Sequence, residues 1–309
     1  MSPRVPAVDP ACLAQWCADY LGSPPAGELF RSGYLSAVIG LRLADDREVV
    51  VKVRPRSPRI AACVEVQRRL FESGYPCPEP LTGAAPLGDG VATAEAHIAG
   101  GAMLPGAARS AWAFAEAFAR LITLAPRPAE VSALDPPPSW AAWSQTGPGL
   151  WPHPEDGDVN LNDVAGPVWI DDAGRCARDR LHASASEVVI GHCDWLAGNL
   201  RWSGDTLLVV HDWDSVTADS EAVLVGLAAA LYSTVNPDEL ATVEETEQFL
   251  VAYRDARGRE FSADELERSW AAGVWTRAYD AKCQHAARQP VISLTENQAR
   301  ERLRRAGTG

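Results

Sequence analysis

Lysine is nearly missing from this chain. Of 28 basic residues only Lys52 and Lys282 are lysines, so any chemistry that needs an ammonium is confined to two positions. Long apolar runs are missing too: the longest, Ala222 to Tyr232, is too short to span a bilayer, and the opening MSPRVPAVDP holds no apolar signal core. The seven cysteines are an odd number with no CxxC pair, the closest being Cys12 and Cys17. That pattern argues against a disulfide framework or zinc site and for reduced, mostly buried thiols. Together these absences lead to the expectation of a cytoplasmic protein. Three motifs are also lacking, GxxxxGK(S/T), HExxH and GxSxG, which removes the P-loop, zinc-peptidase and serine-hydrolase chemistries. A formal charge of -13 and a pI near 4.9 disfavour nucleic acid and anionic membranes as partners and favour a cationic small molecule.

What is present suits a folded protein, with 309 residues, 47% of them hydrophobic and 22% charged. Asp9-Pro10 reads as the start of a helix that ends near Gly22. Strands are expected up to Gly33, over Ala37 to Leu43 and over Val49 to Val53, followed by a helix from Ser57 to Ser73 and short strands at Leu81 to Pro86 and Val91 to Ile98. After Gly100-Gly101 the character changes. Ala107 to Leu124 is helical, Pro126 to Asn162 is irregular and carries Trp140, Trp143 and Trp151, and Val168 to Ser184 is helical again. Two strands around residues 188–210 follow, and everything from Glu221 onward reads as helices with turns near Asn236-Pro237 and Gly258. The pattern predicts an α+β chain: a small β-rich lobe over residues 1–95 with one inserted helix, and a larger, mostly helical lobe over 96–309.

Between the two late strands lies GHCDWLAGNLRW, and the second strand closes in HDWDS. Turn-forming Asp, Asn and Gly would explain part of this, but the order HxDxxxxN followed by DWD also supplies what phosphoryl transfer to a hydroxyl requires. Asp194 can accept the hydroxyl proton, while Asn199 and Asp212 offer the oxygen ligands that Mg2+ prefers against a triphosphate. Upstream, VVVKV places Lys52 mid-strand, where a charge is costly unless something anionic meets it, and Glu65 on the following helix is the expected partner.

In these motifs the chain resembles the aminoglycoside phosphotransferase and choline kinase superfamily, from about Leu29 to at least Trp213. The resemblance implies a two-lobed protein-kinase-like fold with a hinge at about 94–98. It implies that Lys52 and Glu65 form the ion pair of the nucleotide site, that Asp194 is the catalytic aspartate, and that Asn199 and Asp212 hold the metal. ATAEAHIAGG would present backbone groups of Glu95, Ala96 and His97 to the adenine, and RSGYLSAV would be the phosphate loop, with Gly33 and Ser36 its contacts. Mg2+ and ATP are the implied cofactor and donor, with GTP as the other donor. The usual glycine before the aspartate is Cys193 here, expected to be buried and structural, and His192 is expected to hold the loop through the backbone.

A protein kinase would need a long activation segment, for which DWDSVTADSEAVLVG leaves little room. An inactive module would have lost one of Lys52, Asp194, Asn199 or Asp212, and none is lost. The implied partners are a nucleotide and a small hydroxylated acceptor, with no obligate protein partner. The acceptor is expected to be an antibiotic, for instance an aminoglycoside, a basic peptide or a nucleoside antibiotic. A primary metabolite such as choline, homoserine or a sugar is the alternative. Asp214 stands equally as a turn residue or a metal or substrate contact. Trp143, with Asp156 and Asp158, is expected to touch the acceptor, against the rival reading of aromatic lid packing.

Overall fold

The computed structural model describes residues 6–104, 108–155, 157–183, 186–234 and 240–308. Helix α1 (Pro10–Leu21) starts where Asp9 caps the backbone N–H of Cys12 and stops at the left-handed Gly22. Strands β1 (Pro25–Ser32), β2 (Ala37–Leu43) and β3 (Glu48–Arg54) are followed by α2 (Arg59–Glu72), β4 (Ala85–Leu87) and β5 (Gly90–Ala96). The five strands form one antiparallel sheet in the order β1-β2-β3-β5-β4. Its two faces differ by the period of two that strands impose. Ile39, Leu41, Val49, Val51, Val53, Ala92 and Ala94 pack with Leu13, Trp16 and Cys17 of α1 into one apolar core. Lys52, Arg54, Thr93 and Glu95 alternate with them and are buried as well. Both faces of β3 are covered, so every residue of EVVVKVR after Glu48 is buried, the charged Lys52 and Arg54 included.

The rest of the chain builds a second, larger core. It comprises α3 (Ala108–Leu124), α4 (Val168–His182), β6 (Val188–His192), β7 (Leu200–Ser203), β8 (Thr206–Val210), β9 (Val216–Ser220), α5 (Glu221–Leu231), α6 (Val243–Arg257), α7 (Ala263–Ala286) and α8 (Glu296–Arg305). All of α5 except Glu221 is buried, which accounts for its unbroken apolar sequence. Strand β9 was not expected from VTADS; it exists because β6 supplies a partner across its full length. The turn expected at Asn236-Pro237 lies outside the described residues. Among the described residues the cysteines are all free thiols, and no helix is long and apolar enough to cross a membrane.

Candidate active site

Strands β6 and β9 pair with His192 opposite Val216, so the loop leaving β6 and the loop entering β9 lie side by side. Cys193 stitches them: its N–H donates to Ser215 O at 3.0 Å and its thiol to the same oxygen at 2.9 Å. Burial holds that thiol far above its ordinary pKa, so it is structural and unreactive. His192 is fully buried, with Nε2 at 3.1 Å from His211 O and Nδ1 accepting the Asp194 N–H at 3.2 Å. Burial lowers the ring to about 4, so it is neutral, with both nitrogens committed to holding the loop.

Asp194 follows on this tethered loop. Asn199, in the 3-10 turn Ala197–Asn199, donates its amide Nδ2 to Asp194 O at 2.9 Å and to Asp194 Oδ2 at 3.0 Å. With that nitrogen spent, Oδ1 is what the amide can offer a cation. Burial raises the Asp194 carboxyl to about 6; the Asn199 hydrogen bond lowers it, and the charges of Asp214 and Glu155 raise it.

Asp212 sits at φ 66° and ψ 48°, a left-handed conformation that non-glycine residues rarely adopt and that clusters at functional sites. Burial, and then the neighbouring charge of Asp214, push its carboxyl well above the usual range. Burial would raise Asp214 too, but the Arg54 guanidinium and then the Lys52 ammonium hold it well below that range. The Oδ1 atom of Asp214 is buried with no hydrogen-bond partner. An orphaned carboxylate oxygen, a crowded pair of acids and the Asn199 amide are a donor set that fits Mg2+, a hard ion that takes few protein ligands beside phosphates and waters. Among the described residues no closed cage of three or more acids, histidines or cysteines forms.

On the sheet side, Lys52 does not meet Glu65. Its Nζ lies 3.1 Å from Glu95 Oε1, both side chains being 8% exposed, whereas Glu65 is 41% exposed and bonds Arg69 at 2.8 Å. The helical phase decides this, since Ile60, Cys63, Val64 and Gln67 are the α2 residues that surround Lys52 and Glu95. Burial alone would lower the Lys52 ammonium, but Glu95, Asp212 and Asp214 outweigh it and raise its pKa.

Two of the N–H groups expected at the adenine are already used. Ala96 N–H already donates to Glu79 O at 2.9 Å and His97 N–H to Glu48 O at 3.1 Å, because the chain is still paired there. The connecting stretch without regular structure starts only at His97, and its far end is pinned where Ala102 and Trp202 exchange backbone bonds at 2.8 and 2.9 Å.

A cavity of about 810 Å3 joins these parts, lined by Gly33, Ser36, Asp194, Asp212, Asp214 and Trp140 among others. Gly33 is required at its place: its φ is 142°, and an added Cβ would lie 1.8 Å from Ser36 O. The irregular stretch contributes Pro136, Pro137, Pro138, Trp140 and Glu155 to the wall. Trp143 is not there. It is 9% exposed, donates Nε1 to Asp219 Oδ2 at 2.7 Å and packs its ring on His182, so the lid-packing reading holds for it. Trp151 is likewise buried, bonded to Asp171 and stacked near Trp275. Asp158 is exposed and does not line the cavity, and Asp156 lies outside the described residues. Trp143→Ala should therefore cost roughly 3–5 kcal/mol of stability with acceptor KM unchanged. Trp140→Ala should raise acceptor KM, and melting curves beside kinetics separate the two outcomes.

Sequence reasoning overlooked two arginines. Arg54 Nε bonds Asp214 Oδ2 and its Nη1 reaches Thr93 Oγ1 at 3.1 Å, while Arg59 donates Nη1 to Asp214 O at 2.7 Å and Nη2 to Val216 O. They clamp β3 and the start of α2 to the Asp212 loop. The signal was available for Arg54, two residues past Lys52 and hence on the same face of β3.

A glycine-dependent loop and a loop-borne aspartate that line one cavity with an acid pair, next to a buried lysine, define a kinase-like phosphotransferase, an enzyme that transfers phosphate to a hydroxyl group. Residues 26–264 match the phosphotransferase enzyme family, and the chain belongs to that family. Similar folds include the amicoumacin kinase hAmiN, in complex with AMP-PNP, Ca2+ and amicoumacin, at 13% identity and a TM-score of 0.63, covering 92% of this chain and 88% of that one. A choline/ethanolamine kinase family protein from Mesorhizobium loti is 18% identical with a TM-score of 0.55, covering 96% and 92%. A thermostable mutant of an aminoglycoside phosphotransferase, in ternary complex with ADP and hygromycin B, is 13% identical with a TM-score of 0.58, covering 96% and 99%. No curated protein matches the chain.

Proposed function

We propose that the protein transfers the γ-phosphoryl group of ATP to a hydroxyl of a small antibiotic. The observation that carries this reading is the single cavity lined by the Gly33–Ser36 loop, Asp194, Asp212, Trp140, the triproline and Glu155. The nucleotide lies between the sheet-bearing lobe and the larger helical lobe, at the connecting stretch that starts at His97. Its phosphates rest against Gly33, Ser36 and Lys52, and the adenine meets the connecting stretch beyond His97. Asp194 takes the acceptor's proton, the freed oxygen attacks the γ-phosphorus, the bond to the β-bridging oxygen breaks, and ADP leaves a phosphate monoester behind. Asn199 and Asp212, with Asp214 adjacent, would hold Mg2+, which when bound would neutralise charge at the phosphates.

The antibiotic is preferred to a primary metabolite because the part of the cavity beside Asp194 has an aromatic and proline-rich wall, made by Pro136, Pro137, Pro138 and Trp140. The folds it shares with the amicoumacin kinase and the hygromycin-bound enzyme support the same acceptor class. The similar choline/ethanolamine kinase family protein keeps a small amino alcohol as the second reading. Glu155 beside the acceptor and the net charge of -13 favour a cationic acceptor in either case. A panel of hydroxylated antibiotics and amino alcohols, incubated with labelled ATP and read by product mass, tests this. A gain of one phosphate on an antibiotic is expected; transfer to choline or ethanolamine alone overturns the acceptor class, and a nucleotidyl adduct overturns the reaction.

A further inference from the structure

We propose that Glu95 is the positioning residue that aims Lys52 at the nucleotide phosphates, in place of an acid on α2. This rests on the phosphotransferase reading above and extends it to a residue whose side chain the motif alone does not assign. In the β3–β5 register Lys52 lies opposite Thr93 and Val50 opposite Glu95, so the ammonium and carboxylate project from the same face of neighbouring strands. Both Glu95 oxygens are engaged, Oε1 by Lys52 Nζ at 3.1 Å and Oε2 by Gln67 Nε2 at 3.0 Å. Gln67 is itself fixed, donating to Pro78 O at 2.9 Å. The position on α2 that reaches this pair therefore carries a neutral amide, while the helix acids Glu65 and Glu72 are not among the residues around it.

A buried lysine needs a buried counter-charge, and removing one partner leaves the other uncompensated. Where the counter-charge sits decides how the lysine is controlled. A carboxylate on a helix can draw away as the helix shifts, whereas one on a hydrogen-bonded neighbouring strand moves with the lysine. Lys52 is thus preset for phosphate before any nucleotide arrives, and α2 contributes only through the Gln67 amide.

The test is calorimetric titration of the full chain with Mg-AMP-PNP, paired with ATP kinetics and melting curves. Glu95→Gln should weaken nucleotide affinity by about 10-fold or more, and Lys52→Met similarly. The double variant should be no worse than either alone, the signature of a coupled pair. Moving the acid to the helix, Glu95→Gln with Gln67→Glu, should bring affinity back to within about threefold of wild type. Glu95→Asp keeps the charge but withdraws it by a methylene, and serves if Glu95→Gln does not fold; folded protein with weakened affinity supports the role. Wild-type affinity in either single variant, losses that multiply in the double variant, or no recovery on moving the acid overturns it. Absence of Mg-AMP-PNP binding by the wild-type chain overturns the phosphotransferase reading itself and this inference with it.

Discussion

Asp194→Ala is expected to lower turnover by about 100-fold to 10,000-fold, the usual contribution of a positioned base, while MgATP affinity stays within a factor of a few. The split follows from placement. Asp194 is held by Asn199 and the His192-tethered loop and lines the cavity beside Trp140, whose Nε1 bonds Cys193 O at 3.1 Å, whereas Lys52 lies in the neighbouring recess between β3 and α2. Burial has raised its carboxyl to about 6, so its proton-accepting form fills in as pH rises through that value. In the free enzyme kcat/KM for the acceptor should accordingly fall below about pH 6, and Asp194→Asn should abolish that limb along with most of the rate. Rates within a few-fold of wild type would remove Asp194 from the chemistry, and a collapse in nucleotide affinity would move it to the metal.

Much of this arrangement was legible in the sequence because it depends on local rules. The cap at Asp9-Pro10 and the strand runs Ala37 to Leu43 and Val49 to Val53 are each set within a few residues. What failed depended on rotation or on partners far along the chain. The expected pairing of Glu65 with Lys52 rests on helix order and the family resemblance, but the phase of α2 turns Gln67 inward and leaves Glu65 to Arg69. Trp143 looked like an acceptor contact because it stands near acids in the sequence, yet its indole is used by Asp219, 76 positions away. The three tryptophans are alike in composition and differ only in which cavity or core the chain carries them to, with Trp140 alone reaching the site. The short strand VTADS carried no propensity signal, and only β6 makes it one.

Asp212→Asn should separate stability from function more sharply than any other substitution here. In the absence of metal the Asp212 carboxylate is a burden: burial and the charge of Asp214 raise its pKa well above the usual range. A raised carboxyl pKa contributes stability below the unfolded value and loses that contribution as pH rises through the folded one, so at neutral pH the acid is held against its preference. Asparagine removes the charge, keeps the shape, and tolerates the left-handed backbone at φ 66° better than most residues. The variant's melting temperature should therefore equal or exceed that of wild type at pH 7. Its kcat/KM should fall roughly 100-fold to 1,000-fold, the several kcal/mol that an ion-held phosphate contributes, and the dependence of nucleotide affinity on Mg2+ should flatten. Asn199→Ala should follow the same direction less steeply, because a neutral amide oxygen contributes less than an anionic one. Unchanged MgATP affinity in both variants would transfer the metal to Asp214, whose Oδ1 is buried without a hydrogen-bond partner. A lowered melting temperature with intact kcat/KM would instead make Asp212 a turn residue, held by its place before the Trp213–Ser215 turn and not by the ion.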